Sequence, residues 1–224
     1  MTLTLDALSL GVIMLAVLIV GISKGGLGGG LGMLGVPLLA LVMSPVQGAA
    51  IMLPILCVMD LMALKAWWGQ WSKQHVMRLL PAAIAGIVLG ALTFRYFNSD
   101  HIRLLIGLIA MGFALNHWFR PARFIQRTPG TLAGLFWGGI AGFTSFISHA
   151  GGPPVSIYLL PQKLPKATYQ ATTVIFFLVV NYVKLVPYAL LGQFNTENLL
   201  LSLLMLPVAA LGIWLGVKLH HRLP

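Results

Sequence analysis

The sequence predicts an all-α integral membrane protein, built as an inverted repeat of a re-entrant, broken helical hairpin plus transmembrane helices. Three observations predict this fold class. Hydrophobic residues make up 58% of the 224 residues, only 8% are charged, and the mean hydropathy is +0.93. Two glycine-rich stretches, residues 21–32 and 142–153, interrupt the apolar pattern at corresponding places in the two halves of the chain. Apolar runs long enough to cross a bilayer follow each stretch.

The first predicted repeat covers residues 1–128. It begins with a broken hairpin, residues 7–43, in which an apolar run enters the first glycine stretch and a short apolar piece follows. Seven glycines in twelve residues cannot form a lipid-facing helix, because glycine loses much freedom on ordering and hydrocarbon offers no water to unpaired backbone groups. The hairpin is therefore expected to be buried in protein or to line a wet cavity. Three spans follow at 48–67, 79–94 and 102–119.

The second predicted repeat covers residues 129–224. A broken hairpin at 132–160 contains the second glycine stretch, and spans at 168–191 and 199–219 follow. This half therefore has one span fewer than the first. At the other end of the chain, the N-terminus shows neither a basic n-region nor a small-residue cleavage pattern, so no removable signal peptide is predicted.

The two halves can be aligned residue by residue. An offset of 121 pairs Gly21 with Gly142 and Asp60 with Asn181. After two inserted residues, the Gly-Gln turn at 69–70 pairs with that at 192–193, and an offset of 126 then aligns the prolines and glycines of 81–90 with those of 207–216. Turns, prolines and glycines recurring in one order indicate an internal duplication.

The loop charges predict the topology. If each hairpin enters and leaves on one side of the membrane, the two halves are inverted, the N-terminus lies outside and the C-terminus inside. Ten Lys and Arg residues then lie inside and two outside, as the positive-inside rule requires. Those inside are Lys65, Lys73, Arg78, Arg120, Arg123, Arg127, Lys163, Lys166, Lys218 and Arg222; those outside are Arg95 and Arg103.

The glycine stretches carry the candidate substrate-binding residues. An ammonium at bilayer depth is costly, so Lys24 is expected to face an anion, with a structural ion pair to Asp60 as the alternative. Hydroxyl groups can donate to substrate oxygens or back-bond to a helix carbonyl, and a histidine can serve the site or be satisfied by a carbonyl. The candidates from these stretches are Ser23, Lys24, Gly25, Gly26, Gly29, Gly30, Thr144, Ser145, Ser148, His149, Gly151 and Gly152.

Asp60 and Asn181 are the candidate coupling residues. They occupy matching repeat positions in the middle of their spans, and Asp60 is the only carboxylate deep in any span. It is therefore a candidate proton carrier or counter-ion, while a plain structural ion pair with Lys65 or Lys24 stays open. Lys184 lies one turn beyond Asn181 and is expected to snorkel outward.

The two stretches also resemble the signature regions of a known family. These are the Gly-x-x-Lys-Gly-x-x-Gly-x-Gly pattern of 21–30 with Pro37, and the Gly-Phe-x-Ser…Gly-Gly-Pro-Pro pattern of 142–154 with Tyr-Gln-Ala-Thr at 169–172. They are similar to those of the sulfite exporter TauE/SafE family, also called the toluene-sulfonate uptake permeases. The resemblance covers nearly the whole chain and implies a multi-pass carrier of the bacterial inner membrane for sulfite, thiosulfate or organosulfonates.

The chain departs from that family pattern in two places. Many relatives have Arg at the position of Gln170, so Gln170 is a candidate substrate contact of different chemistry. Relatives also usually carry a further C-terminal span, so this chain is expected to be either short or truncated.

The sequence predicts a secondary transporter of a small sulfur-containing anion, coupled to an ion and working by alternating access. An anion channel remains an alternative, as does an intramembrane enzyme using Ser145 and His149, although no carboxylate lies near them in sequence to orient a base. The expected partners are the anionic substrate and the lipid membrane, with no nucleic acid, because the net charge of +10 is explained by the loops. No cofactor or metal is predicted, and the oligomeric state stays open, a homodimer included.

The charge distribution gives a testable topology. Single cysteines placed beside Arg123 and beside Lys163, in a chain from which Cys57 has been removed, should both react with a membrane-impermeant maleimide only from the cytoplasmic side. Labelling of the two positions from opposite faces would eliminate the second hairpin, and with it the inversion of the two halves.

Overall fold

The structure is a computed structural model that describes residues 6–28, 30–94, 96–119 and 128–222. Helices dominate these ranges, which contain no strand. In chain order the helices are α1 (Ala7–Gly26), α2 (Gly35–Leu39), α3 (Pro45–Ala66), α4 (Lys73–Phe94), α5 (Ser99–Phe119), α6 (Thr131–Ser148), α7 (Gly152–Leu159), α8 (Lys166–Leu190) and α9 (Thr196–Arg222). Short 3₁₀ segments, Gly30–Leu34 and Leu160–Gln162, precede α2 and follow α7.

Six helices of the described chain are long and apolar enough to cross a membrane. They are α1, α3, α4, α6, α8 and α9, with 18 to 27 residues each, and at about 1.5 Å per residue the shortest of these is close to the thickness of the hydrocarbon layer. The predicted all-helical membrane fold is confirmed at this level. The helix bounds differ from the predicted spans by a few residues, most at α4, which begins at Lys73 rather than at residue 79.

Local sequence explains where the helices next to the glycine stretches begin and end. Asp6 caps α1 by accepting a hydrogen bond from the Ser9 amide at 2.8 Å. Ser44 caps α3 in the same way, and Pro45 at the first helical position has the backbone angle that a helix start requires. At the other end, α6 stops at His149, which adopts a left-handed conformation with φ of 55°. That change of direction starts the loop between α6 and α7.

Glycines bring the backbones of two helix pairs into direct contact. A Cβ atom added to Gly21 of α1 would lie 2.9 Å from the Gly212 Cα of α9, and one added to Gly25 would lie 2.4 Å from the Ile213 carbonyl oxygen. The residue numbers at successive contacts increase along both helices, so α1 and α9 run parallel. Small residues permit this close approach between membrane helices. The glycine-rich end of α1 is thus buried against protein and does not face lipid.

The same packing joins α4 and α6. A Cβ atom at Gly138 would lie 2.2 Å from the Leu79 carbonyl oxygen, and one at Gly142 would lie 1.9 Å from the Ala83 carbonyl oxygen. Here too the numbering rises together along both helices, so α4 and α6 are parallel. The first helix of each predicted repeat therefore packs against a helix of the other half. Helix α1 packs against α9, and α6 packs against α4.

The central pair, α3 and α8, runs in opposite directions. Asn181 Nδ2 donates to Asp60 Oδ2 at 2.6 Å, and in the segment that follows α3 the Ser72 amide donates to the Thr172 hydroxyl at 3.0 Å. Residue numbers thus rise from Asp60 to Ser72 while those of their partners on α8 fall, as in an antiparallel pair. Two hydrophobic clusters fill the space on either side, and both include residues of α3 and α8.

Two hydrogen bonds from side chains at the ends of α3 and α8 also correspond. Trp67 Nε1 donates to the Gly25 carbonyl at 2.9 Å, and the Tyr188 hydroxyl donates to the Phe146 carbonyl at 2.7 Å. Donors and acceptors are each separated by 121 residues, the offset of the internal alignment. Each bond ties the end of a central helix to the end of the helix that enters its glycine stretch.

The glycine contacts predict which substitutions the fold tolerates. Gly142→Ala should lower the free energy of unfolding by about 1–3 kcal/mol through overpacking, because its Cβ would meet the Ala83 backbone. Gly139→Ala, on the same helix, is the matched control, since its Cβ would lie 3.6 Å from the nearest atom, an ordinary contact. Thermal unfolding of the two purified variants in detergent measures the difference. Equal melting temperatures would contradict the close α4–α6 contact.

Candidate functional site

A small cavity lies where the two glycine stretches meet the central helices. Its volume is about 30 Å³, room for roughly two water molecules at the ~10–15 Å³ that each requires. Residues from both halves of the chain line it, on α1, the first 3₁₀ segment, α3, α6, α7 and α8. The lining residues are Val20, Lys24, Gly32, Leu56, Ser145, His149, Gly152, Phe177 and Asn181. We call this space the central cavity.

The Asp60 carboxylate joins three helices beside this cavity. One of its oxygens pairs with the Lys24 ammonium of α1, and the other accepts the 2.6 Å bond from Asn181 of α8. Asp60 is fully buried, and Lys24 is 8% exposed. The ion pair with Lys24, one of the two roles considered for that lysine, is thus formed, whereas Lys65 is exposed at the end of α3. Lys24 also borders the cavity, and its ammonium lies 5.6 Å from the centre of the Phe177 ring.

Lys184 is the side chain whose predicted orientation is wrong. It does not snorkel outward but is completely buried, because it lies three residues after Asn181 on α8 and so shares the inward face of that helix. Its Nζ atom contacts the Ser145 carbonyl and the Ser145 hydroxyl, each at 3.0 Å, and His149 Nδ1 at 2.7 Å. The second buried lysine therefore stands directly behind the wall of the central cavity.

His149 is held by contacts on both ring nitrogens. Its Nε2 atom lies 2.9 Å from the Ala49 carbonyl, which can only accept, so Nε2 carries a proton. Nδ1 then accepts from Lys184, and the ring is neutral. The left-handed backbone of His149 turns the chain so that this ring reaches α3 and also borders the cavity.

A corresponding pair of contacts occurs on the other side of the central helices. Gln170 of α8 accepts a hydrogen bond from the Gly28 amide and donates one to the Lys24 carbonyl, both at 2.5 Å. Gly28 has a positive φ of 68°, as His149 has one of 55°. The offset of 121 relates Gly28 to His149 and Ala49 to Gln170. Both glycine stretches thus turn in the left-handed conformation and are tied to a central helix of the other half.

Gln170 also borders a second, larger cavity of about 510 Å³. This cavity, which we call the vestibule, is lined by Gly26, Leu27, Gly28, Leu159, Leu160, Leu164, Lys166, Tyr169, Gln170 and His220. Its walls come from the ends of α1, α7 and α9 and the start of α8. The Gln170 amide, which borders the vestibule, also contacts the backbone of Lys24, whose residue lines the central cavity.

The central cavity presents hydrogen-bond donors. The Lys24 ammonium and the Asn181 amide each have N–H groups beyond the one bonded to Asp60. The Ser145 hydroxyl, which accepts from Lys184, keeps its own proton to donate. An anion of modest size, surrounded by donors and one ammonium, is the ligand that such a surface can hold.

The other predicted contacts fall away from the cavity. Thr144 and Ser148 bond to backbone carbonyls, at 2.8 Å to Ile140 and at 3.4 Å to Thr144 respectively, which is the back-bonding alternative considered for them. Ser23 is buried, and its hydroxyl is the one buried side-chain polar atom of the described residues without a hydrogen-bond partner.

The predicted glycines have several roles. A Cβ atom at Gly26 or Gly151 would meet backbone at 2.0 Å or 2.8 Å, so these glycines, like Gly25, permit close packing. A Cβ atom at Gly30 would meet nothing within 4 Å. Gly152 lines the cavity, while Gly29 lies outside the described residues.

Sequence reasoning missed Lys184 and the apolar part of the cavity wall, Val20, Leu56 and Phe177. The spacing of three residues between Asn181 and Lys184 was an available signal, because it places both side chains on one helix face. Nothing in the sequence distinguishes the apolar lining residues from their neighbours. Within the described ranges, no group of three His, Cys, Asp or Glu side chains is positioned to hold a metal ion.

The chain was compared with known protein families, curated proteins and solved structures. The family model described as Sulfite exporter TauE/SafE matches residues 13–224. The searches of curated proteins and of solved structures give no match. The family match includes both glycine stretches and every residue that lines the central cavity.

Proposed function

Because the chain belongs to the sulfite exporter TauE/SafE family, whose members are membrane transporters of sulfur anions, we propose that it is a secondary transporter of the bacterial inner membrane. Its substrate is a small sulfur-containing anion, which is sulfite, thiosulfate or an organosulfonate. Transport is coupled to an ion and proceeds by alternating access. The observation that carries this proposal is the central cavity, whose lining includes the donor-bearing side chains of Lys24, Ser145 and Asn181.

The donors of the central cavity support anion binding at bilayer depth. A dehydrated sulfonate group has three acceptor oxygens, and a buried charge is far more costly to leave unpaired than a neutral polar group. Lys24 supplies the charge, and Ser145 and Asn181 supply neutral donors from two further helices. Residues from both halves thus surround one substrate, as in transporters built from repeats.

The paired contacts support two inverted repeats. Helices α3 and α8 are antiparallel, and the contacts of Trp67 and of Tyr188 are related by the offset that aligns the two halves. Asp60 and Asn181 are themselves related by this offset and bond to each other, as residues on a twofold axis would. An axis between these two residues would bring both glycine stretches to the same depth.

Asp60 is the coupling residue in this proposal. It is buried, it is bonded to a cavity-lining lysine, and it also contacts Asn181 of the opposite half. A proton on Asp60 would release the Lys24 ammonium toward the cavity, so that anion binding and protonation favour one another. This reciprocity is the thermodynamic requirement for coupled transport.

Gln170 supports alternating access. Its two hydrogen bonds tie α8 to the end of α1 at the wall of the vestibule. Breaking these two bonds would let the vestibule connect with the cavity. Lys166 and His220 at the vestibule wall would favour the arrival of an anion from that side.

The alternatives differ in their demands on the same residues. An enzyme would need a hydrogen bond from Ser145 to His149, with His149 as the general base. In the structure, Lys184 Nζ contacts both the Ser145 hydroxyl and His149 Nδ1. A channel would need a continuous aqueous path, whereas the central cavity, at about 30 Å³, has room for only a small number of water molecules. Saturable counterflow in liposomes would support a carrier, and currents at single-channel rates would support a channel.

The cavity hydroxyl gives the first functional prediction. Ser145→Ala should weaken methanesulfonate binding by about 1 kcal/mol, the value of a typical single hydrogen bond. Ser148→Ala is the matched control, because that hydroxyl lies one turn away on the same helix and bonds to a carbonyl. Titration of both purified variants with methanesulfonate measures the difference. Equal weakening in both variants would contradict a role for Ser145 in the site.

The charge of Lys24 is tested in a background without the carboxylate, since Lys24→Ala alone would leave Asp60 buried and unpaired. Adding Lys24→Ala to Asp60→Asn should weaken binding by about 1.5–3 kcal/mol relative to Asp60→Asn, the range for a charge-assisted hydrogen bond. The same titration compares the single and double variants. Identical affinities would show that the first glycine stretch packs helices and binds no substrate.

The coupling role of Asp60 gives a separate prediction. Asp60→Asn, with nearly the same shape, should abolish proton-driven uphill uptake in liposomes and spare the exchange of a sulfur anion across the membrane. Wild-type protein serves as the reference. Loss of exchange together with loss of uphill uptake would assign Asp60 a purely structural ion pair.

A further inference from the structure

The charges around the central cavity do not balance. Among the described Lys, Arg, Asp and Glu residues, three side chains are buried: Lys24, Lys184 and Asp60. Lys24 is paired with Asp60, but Lys184 has only neutral partners, which are Ser145 and His149. The histidine next to it is neutral by its hydrogen bonds, as argued above. The cluster therefore carries two positive charges and one negative charge.

The contacts of Lys184 satisfy an ammonium, and the charge count takes Lys184 in that form. An ammonium has three N–H donors and no acceptor, and Nζ has three partners: the Ser145 carbonyl, the Ser145 hydroxyl and His149 Nδ1. A carbonyl oxygen only accepts, and Nδ1 accepts because Nε2 donates to Ala49. Three acceptors thus meet three donors. The positive charge of Lys184 is solvated by protein dipoles, with no carboxylate to neutralise it.

An unbalanced buried charge favours a ligand of opposite charge. Both Ser145 and His149 line the central cavity, so Lys184 is one side chain behind the wall, and Lys24 is in the wall itself. A monoanion in the cavity would bring the cluster to neutrality, whereas a dianion would leave an excess negative charge in a medium of low polarity, which is costly.

We propose that the central cavity, while Asp60 is ionised, is a site for monoanions, such as R–SO₃⁻ sulfonates and hydrogensulfite, and that the negative charge of Asp60 is the determinant that excludes dianions. The proposal rests on the proposed function, because it takes this cavity as the anion site. Asp60 acts through the charge total rather than by touching the substrate, since it is absent from the cavity lining. Neutralising Asp60 raises the net charge of the cluster from one to two, and a cluster of that charge would be balanced by a dianion.

Methanesulfonate and sulfate make a matched pair of probes. Both are small tetrahedral sulfur anions, and a methyl group in one replaces a charged oxygen in the other. Affinities are measured by calorimetric titration at one fixed pH for wild type, Asp60→Asn, Asp60→Glu, Lys184→Gln and the double variant Asp60→Asn/Lys184→Gln. Asp60→Glu keeps the charge and changes the shape, so it separates the two effects.

The wild-type protein should prefer methanesulfonate. Asp60→Asn should move the affinity ratio toward sulfate by at least about tenfold, which corresponds to about 1.4 kcal/mol, while Asp60→Glu keeps the wild-type preference. Lys184→Gln, with a net charge of zero, should weaken both anions. The double variant restores a net charge of one and should restore the preference for methanesulfonate.

Several results would overturn the charge assignment. They are a wild-type preference for sulfate, an unchanged ratio in Asp60→Asn, or an equal shift in Asp60→Glu. If Lys184→Gln does not fold, the comparison of Asp60→Asn with Asp60→Glu still tests whether the charge of Asp60 sets the preference between methanesulfonate and sulfate. If the wild-type protein binds sulfite or thiosulfate, but the ratio of methanesulfonate to sulfate affinity is the same in wild type and Asp60→Asn, only the charge assignment is overturned. Failure of wild type to bind any of the four anions would overturn the proposed function as well.

Discussion

The Asp60 carboxylate is the interaction on which the rest of the structure depends. It pairs with Lys24 of α1 and accepts from Asn181 of α8, so one buried group connects the first glycine stretch with both central helices. Removing one partner of a buried pair costs about 3–5 kcal/mol, because the other charge is left without compensation. Such a group is therefore retained only when its partners are held in place, and here the glycine contacts of α1 with α9 hold Lys24 beside α3.

The close helix contacts explain why so polar a centre can exist in an apolar protein. Gly21 and Gly142 let the backbones of α1 and α6 approach those of α9 and α4, and these tight interfaces leave little room for water. The broken segments that follow then need only short turns to bring Gly32 and Gly152 to the central cavity. Irregular backbone at this depth is tolerated because it is covered by protein rather than by lipid.

Much of the fold and part of the site could be predicted from sequence. Composition and run length predict membrane helices, and the cost of charge at bilayer depth identifies Lys24 and Asp60 as unusual residues. Sequence could not choose between an ion pair and a substrate contact for Lys24. In the structure, Lys24 is paired with Asp60 and also lines the cavity. Thr144 and Ser145 are adjacent and of similar chemistry, yet only Ser145 faces the cavity, because the helical step turns the neighbouring side chain by about 100°.

The sequence by itself determined the membrane class, the family resemblance, the two glycine stretches and the pairing of Asp60 with Asn181 as related positions. These follow from local composition and from repetition, which are properties of the linear chain. Only the tertiary structure decided that Lys184 is buried and that its ammonium joins Ser145 to His149. Snorkelling and burial are both open to a lysine near the middle of a helix. The choice depends on which face of α8 meets α6, and that is fixed by packing between segments distant in sequence.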